Sequence, residues 1–448
     1  MIQWIAVNDR FWSISDEPQK FADVCNPTGS STAEQTLWVS TLAEVVGRMR
    51  MFWSAFLVAL SCVVVSSPVA AQFSHDTLKI GVLTDEVGPY ADSAGPGSVL
   101  AARMAVADFG GTVQGHKVEI VDGDTANKPD VAANVARRWF DTEGVSAVVD
   151  LPVTPVAFAV QDVAVQKKKT VMITAAATTD ITSKRCNVVS THWADDNHAL
   201  AGGTAKAIMA NGGGKSWFFI TVDIAFGTAL QKDATDVIEA GGGKVLGSVR
   251  YPVGNTDFSS LLLQAQGSRP EDIGLASVGA DLVNAIKQAH EFGLGKPPGP
   301  ALVGFLIYIN DIHALGLDAT QGLNVMSSFY WNENDAARKF SQRFFEKQKA
   351  MPSRDQAQIY AAVLHYLKAV QAAGTDDAAV VGEKMRELPV DYFGRTVTLR
   401  SDGRLMSDLT LYRVKAPAES KKPWDYYESV RTLPAAEAYL AESPACRR

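Results

Sequence analysis

The chain is poor in the groupings that mark metal and hydrolytic chemistry. Its 448 residues hold four cysteines. None of them forms a C-x-x-C pair and no H-E-x-x-H run occurs, so the zinc sites built on those spacings have no local signature here. A G-x-S-x-G elbow is missing too, which leaves a serine nucleophile on a strand-to-helix turn unsupported. The run 211–216 (NGGGKS) ends like a phosphate loop, but Met209 stands where that loop needs glycine. A predicted helix precedes the run and a strand follows it, so it reads as a helix C-cap. Basic charge is also short: 42 Lys and Arg against 49 Asp and Glu leave a net charge of −7. Such a chain offers no basic face to nucleic acid. No short-period repeat is present, which removes solenoids and propellers.

What the chain does contain is 47% hydrophobic and 20% charged residues, the make-up of a globular protein. Its length exceeds the roughly 100–200 residues of one domain, so two or more are expected. Near the start, Arg48 and Arg50 precede an apolar run from Phe52 to Val65, then Pro68 and Val69-Ala70-Ala71. That order is the layout of a secretory signal peptide over 49–71, with cleavage expected after Ala71. A membrane anchor is the alternative, but the run is short for a span of about 20 residues. Residues 1–48 show no periodicity, and translation is expected to begin at Met49 or Met51, which excludes them from the mature fold. Cys186 and Cys446 then remain. They allow one bridge, and a pair this far apart in sequence can equally stay reduced.

From Leu78 onward strands and helices alternate. LKIGVL (78–83), KVEIVDGD (117–124), AVVD (147–150) and the run 171–173 read as strands, with helices between them that end in glycine. This is the pattern of βαβ units and a parallel sheet. It breaks at THWADDNHA (191–199) and restarts with strands at 216–223, 244–252, 272–279 and 301–310. The break marks a crossing between domains, and Asp195 or Asp196 caps the helix that begins near His198. Two long helices (336–349 and 356–373) and a hairpin turning at Asp402-Gly403 complete the chain.

In open parallel sheets, ligands meet the loops that leave the carboxyl ends of strands. Those loops carry Tyr90 and Ser93, Thr154, the stretch Ala176 to Thr178, Asp223 with Phe226, and Asp281. Taken singly, each such Thr or Asp reads first as a helix N-cap. Taken together they occupy equivalent ends of two sheets, the geometry of a binding cleft.

The order and content of GPYADSAGPGSVLAARMAVADFGG, DLPVTPVAFAV, ITAAATTDIT, VDIAFG, NTDFSSLLLQAQ and QAQIYAAVLHYLKAV resemble the type I periplasmic substrate-binding proteins of ABC transporters, in the branched-chain amino-acid-binding (leucine/isoleucine/valine) family. The resemblance covers about 77–430. THWADDN, WFFITVDIAFG and KPWDYY look closer to a branch that includes receptors for aromatic acids. It implies two Rossmann-like α/β lobes with mostly parallel sheets, hinged by three crossings. Lobe 1 would hold 77–193 and 310–398, lobe 2 would hold 195–308 and 400–430, and 431–448 would be a C-terminal tail. It also implies a small carboxylate ligand held by Thr154, by Ala176 to Thr178 and by Tyr90 or Ser93, with Asp281 facing an amino group. Thr154 is followed by Pro155 where the family has another small hydroxylic residue, and Asp281 stands where several amino-acid binders carry Glu. The expected protein is a periplasmic receptor without cofactor or catalysis, serving a membrane permease and ATPase. A ligand sensor of the same fold, or an α/β hydrolase, are the alternatives.

Overall fold

The inner strands Thr77–Thr84, Val145–Asp150 and Thr170–Ile173 of the first sheet are buried along nearly their whole length, which is why they are mostly apolar rather than alternating, while His116–Asp124 is largely half-buried. The computed structural model describes residues 73–446; the segment 1–48 and the leader at 49–71 lie outside the described residues. β1 (Thr77–Thr84), β2 (Thr112–Val113), β3 (His116–Asp124), β4 (Val145–Asp150), β5 (Thr170–Ile173) and β6 (Ser190–His192) form one sheet in the order β2-β3-β1-β4-β5-β6. All its pairings are parallel apart from β2 with β3. Ile80, Val82 and Leu83 of β1 are fully buried. Gly81 between them lets Trp139 lie flat on the strand, since a Cβ there would stand 2.3 Å from the indole Cζ3.

The second sheet starts with β7 (Ser216–Val222), β8 (Lys244–Tyr251), β9 (Asp272–Ala276), β10 (Ala301–Gly304) and β11 (Asn324–Ser327). A small sheet of β12 (Val390–Tyr392), β13 (Arg395–Leu399) and β14 (Leu405–Met406) follows. β13 and β14 are the expected hairpin, with Gly403 at φ +89° in the turn. β15 (Leu409–Val414) and β16 (Tyr427–Leu433) then return to the second sheet, whose order is β16-β15-β11-β10-β9-β7-β8.

Three expected boundaries move, one of them the expected return to the second lobe at 400, since β14 pairs with β13 and Arg404 bridges to His192 of the first sheet. The segment 310–327, assigned to the first lobe on sequence, belongs to the second: β11 pairs in parallel with β10 and antiparallel with β15. The second crossing therefore lies at Ser328, not near residue 309. The expected tail also begins too early, because β16 runs to Leu433 and Ala435 and Ala438 are buried in the second lobe's core beside Leu230 and Phe219.

The crossings are stitched by two adjacent acids. Asp195, fully buried, accepts from the Ser328 backbone N–H at 2.9 Å, from Gln358 Nε2 at 3.2 Å and from the Tyr439 hydroxyl at 3.4 Å, and faces Arg354 Nε at 3.5 Å. Asp196 takes Arg404 Nη1 at 3.0 Å and, as expected of a cap, the Ala199 N–H at 2.9 Å. Arg404 also donates to the carbonyls of His192 and Ala194 and lies 4.6 Å over the Tyr439 ring. His192 must be neutral here, because burial and the adjacent guanidinium both push its pKa well below the ordinary value. A carbonyl can only accept and a guanidinium can only donate, so its Nε2–H donates to Ala176 O at 2.8 Å and its Nδ1 accepts from Arg404 at 3.1 Å. The chain after Tyr439 then runs back to the first lobe. Leu440 O accepts from Arg400, and Cys446 is bonded to Cys186 with the Cα atoms 5.7 Å apart. The two cysteines are joined, the alternative that spacing alone left open.

Candidate functional site

Three helices of eight or more residues begin at the cleft with an apolar N-cap. They are Thr154–Lys167 after Val153, Ala225–Ala240 after Ile224, and Gly279–Glu291 after Val278, and no N-cap side chain accepts from any of their first turns. Of the other long helices, Asp335–Gln348, Arg354–Ala373 and Ala378–Glu387 are capped by Asn334, Ser353 and Asp377, whereas Gly95–Phe109, Pro129–Arg138 and Ser259–Gly267 also lack a side-chain cap. An uncapped first turn leaves backbone N–H groups and the positive end of the helix dipole facing whatever lies in front.

In front of all three lies a cavity of about 140 Å³ shared between the lobes. The first lobe contributes Tyr90, Pro152, Val153, Thr154, Pro155, Ala175 and Ala177; the second contributes Ile224, Phe226, Val278, Leu306 and Tyr308. Its lining offers three hydroxyls and no charged side chain. Tyr308 is fixed from behind. Its hydroxyl donates to Asp355 Oδ2 at 2.7 Å and Arg354 stacks 5.1 Å from its ring. Burial pushes the Asp355 carboxyl up to about 6 against the pull of Arg354. Burial alone would lower the pKa of Arg354, but Asp195 and Asp355 hold it above the usual arginine value. Tyr90 is set by its own loop, where Asp85 accepts from the backbone N–H groups of Gly88 and Tyr90, both at 2.9 Å. Burial, with Asp85 and Asp281 nearby, raises its phenol pKa.

Of the residues expected from sequence, the structure brings Tyr90, Thr154, Phe226 and Ala177 of the 176–178 stretch together on the cavity. The others stand behind or beside it. Ser93 is buried, donates to Tyr90 O at 3.3 Å and accepts at its carbonyl from Ser353, so it holds the loop. Ala176 spends its N–H on Leu151 O and its carbonyl on His192. Thr178 Oγ1 accepts from the Asp180 N–H at 3.3 Å, a local turn that leads into the short helix that follows. Asp223 pairs with Arg250 at 3.2 Å on the exposed rim. Asp281 Oδ2 accepts from the Gly254 N–H at 3.0 Å and closes the loop after β8. Tyr308 was not foreseen. The predicted strand 301–310 ran straight through it, whereas β10 ends at Gly304 and leaves Leu306 and Tyr308 in a carboxyl-end loop. Among the described residues no cluster of His, Cys, Asp or Glu is placed to hold a metal ion, and no helix is long and apolar enough to cross a membrane.

The fold is shared with solved proteins. A periplasmic binding protein from Burkholderia mallei is 46% identical, with a TM-score of 0.76 over 83% of this chain and 98% of that one. A branched chain amino acid ABC transporter periplasmic ligand-binding protein from Burkholderia xenovorans LB400 is 39% identical, with a TM-score of 0.75 over 81% of this chain and 96% of that one. A curated Leu/Ile/Val-binding protein homolog 6 from Brucella melitensis is 25% identical over 290 residues, 63% of this chain and 72% of its own length. The family model described as periplasmic binding protein matches residues 77–422. The chain belongs to the periplasmic binding protein family.

Proposed function

We propose that this protein is an exported receptor that binds a small carboxylate between its lobes and presents it, closed, to the membrane permease and ATPase of an ABC importer. The observation that carries this reading is the shared cavity, whose walls come from both lobes and include residues at three uncapped helix N-termini. Helix N-termini of this kind receive anions. A ligand held first on Thr154 and the adjoining backbone gains Phe226, Ile224 and Tyr308 only when the lobes meet. That difference in contact shifts the population to the closed form. The leader expected at 49–71 places the receptor in the periplasm, and a mature protein beginning at Gln72 is the result expected from N-terminal sequencing.

Thr154→Ala should weaken carboxylate binding by about 10- to 100-fold, the range of one hydrogen bond to a charged group. Titration calorimetry on the purified variant checks this. The melting temperature of the free protein should stay close to wild type, because the Thr154 side chain lies on the cleft and makes no hydrogen bond within the protein. Unchanged affinity would remove Thr154 from the site.

A further inference from the structure

We infer that the ligand is a compact apolar monocarboxylate, of one ring or a short branched chain, that carries no ammonium group. The inference rests on the receptor reading above and narrows it. Size comes first. A cavity near 150 Å³ takes a single benzene ring, and the cleft offers about 140 Å³, room for a compact ligand.

The walls decide the rest. Val153, Ile224, Val278, Leu306 and Phe226 present carbon, and burying a cation against them without a partner is far costlier than burying a methyl group. An α-ammonium would need a carboxylate on the cavity wall, and no acid lines it; Asp150, whose carboxyl has no hydrogen-bond partner of good geometry, is fully buried and absent from the lining. Asp281 holds the Gly254 N–H and is absent from the lining. Asp223 is paired with Arg250 and its side chain is 64% exposed on the rim. Asp355 lies behind Tyr308, bonded to that hydroxyl and to Arg354. The opposite charge is well served. The uncapped first turns whose residues line the cavity supply backbone N–H donors and dipoles for an anionic group, Pro155 excepted, with the hydroxyls of Thr154 and Tyr90 beside them. The site is thus built for one negative end and an apolar body.

Matched pairs that differ only in the amino group provide the test. Calorimetry of the mature full-length chain with leucine against 4-methylpentanoate, and with phenylalanine against 3-phenylpropanoate, should show the deaminated member binding at least about 100-fold more tightly in one or both pairs. Asp281→Asn should leave the affinity for that acid within about threefold, since the carboxylate serves the loop rather than the ligand. Leucine or phenylalanine binding as tightly as its deaminated partner, with loss on Asp281→Asn, would overturn the inference while leaving the receptor reading intact. If neither the acids nor the amino acids bind, the receptor reading itself fails.

Discussion

Replacing Arg404 with alanine should lower the free energy of unfolding by about 3–5 kcal/mol, the usual cost of stranding one member of a buried ion pair. The guanidinium is fully buried and serves Asp196, the imidazole of His192 and two backbone carbonyls at once. Without it Asp196 becomes an unpaired carboxylate that is 2% exposed, and two carbonyls lose their donor. Lysine should recover only part of the loss, because a single ammonium cannot reproduce the planar fork that reaches these acceptors together. Urea unfolding of wild type and both variants measures the difference through the midpoint and slope. A loss below about 1 kcal/mol for the alanine variant would mean that the crossings are not held in this way.

The second large effect is a dependence on pH. Asp150 ends β4 immediately before the cavity wall at Pro152 and Val153. It is fully buried, neither carboxyl oxygen has a hydrogen-bond partner of good geometry, and burial pushes its pKa up to about 7. The nearby hydroxyls of Thr84 and Ser98 pull the other way, while Asp355 and Asp85 add repulsion. The folded protein therefore keeps this proton at pH values where the unfolded chain, near the ordinary 3.8, has lost it. Its contribution to stability is fully present below pH 3.8 and is lost as pH rises through about 7. The loss is on the order of 4 kcal/mol. Asp150→Asn removes the ionisation, and asparagine accepts the backbone φ of +94° at this position about as readily as aspartate. The variant should match wild type near pH 4 and exceed it by several kcal/mol at pH 8. Asp272 and Glu333, also raised to about 7 by burial, titrate in both proteins and cancel in the comparison. Denaturant curves for the pair at the two pH values decide it; equal stability at both would show Asp150 ionised in the folded state at little cost.

The sequence carried the architecture because the inner parallel strands are buried along their length and several helices end in glycine, at Gly110, Gly241 and Gly374, and both features follow from local chemistry. The carboxyl-end rule picked out Tyr90, Thr154 and Phe226, which line one cavity. It also selected Ser93 and Thr178, since a hydroxyl that closes a local turn or pins a loop looks the same in sequence as one that meets a ligand. β11 was assigned to the wrong lobe because a four-residue apolar strand has no mark of which sheet it joins until β10 and β15 bond to it. Asp195 and Asp196 were legible only as caps. Their hold on the crossings depends on partners 133 and 208 residues away, beyond any local pattern. Spacing could not join Cys186 to Cys446 for the same reason, as 260 residues separate them.

The account stands most directly on closure around a carboxylate, which small-angle scattering of the mature protein measures with and without saturating 4-methylpentanoate or 3-phenylpropanoate. The free protein should show the larger radius of gyration and the saturated protein the smaller, while Thr154→Ala should need a correspondingly higher acid concentration to contract. A protein that binds either acid in calorimetry and keeps the same radius of gyration would contradict closure as the signal read by the importer.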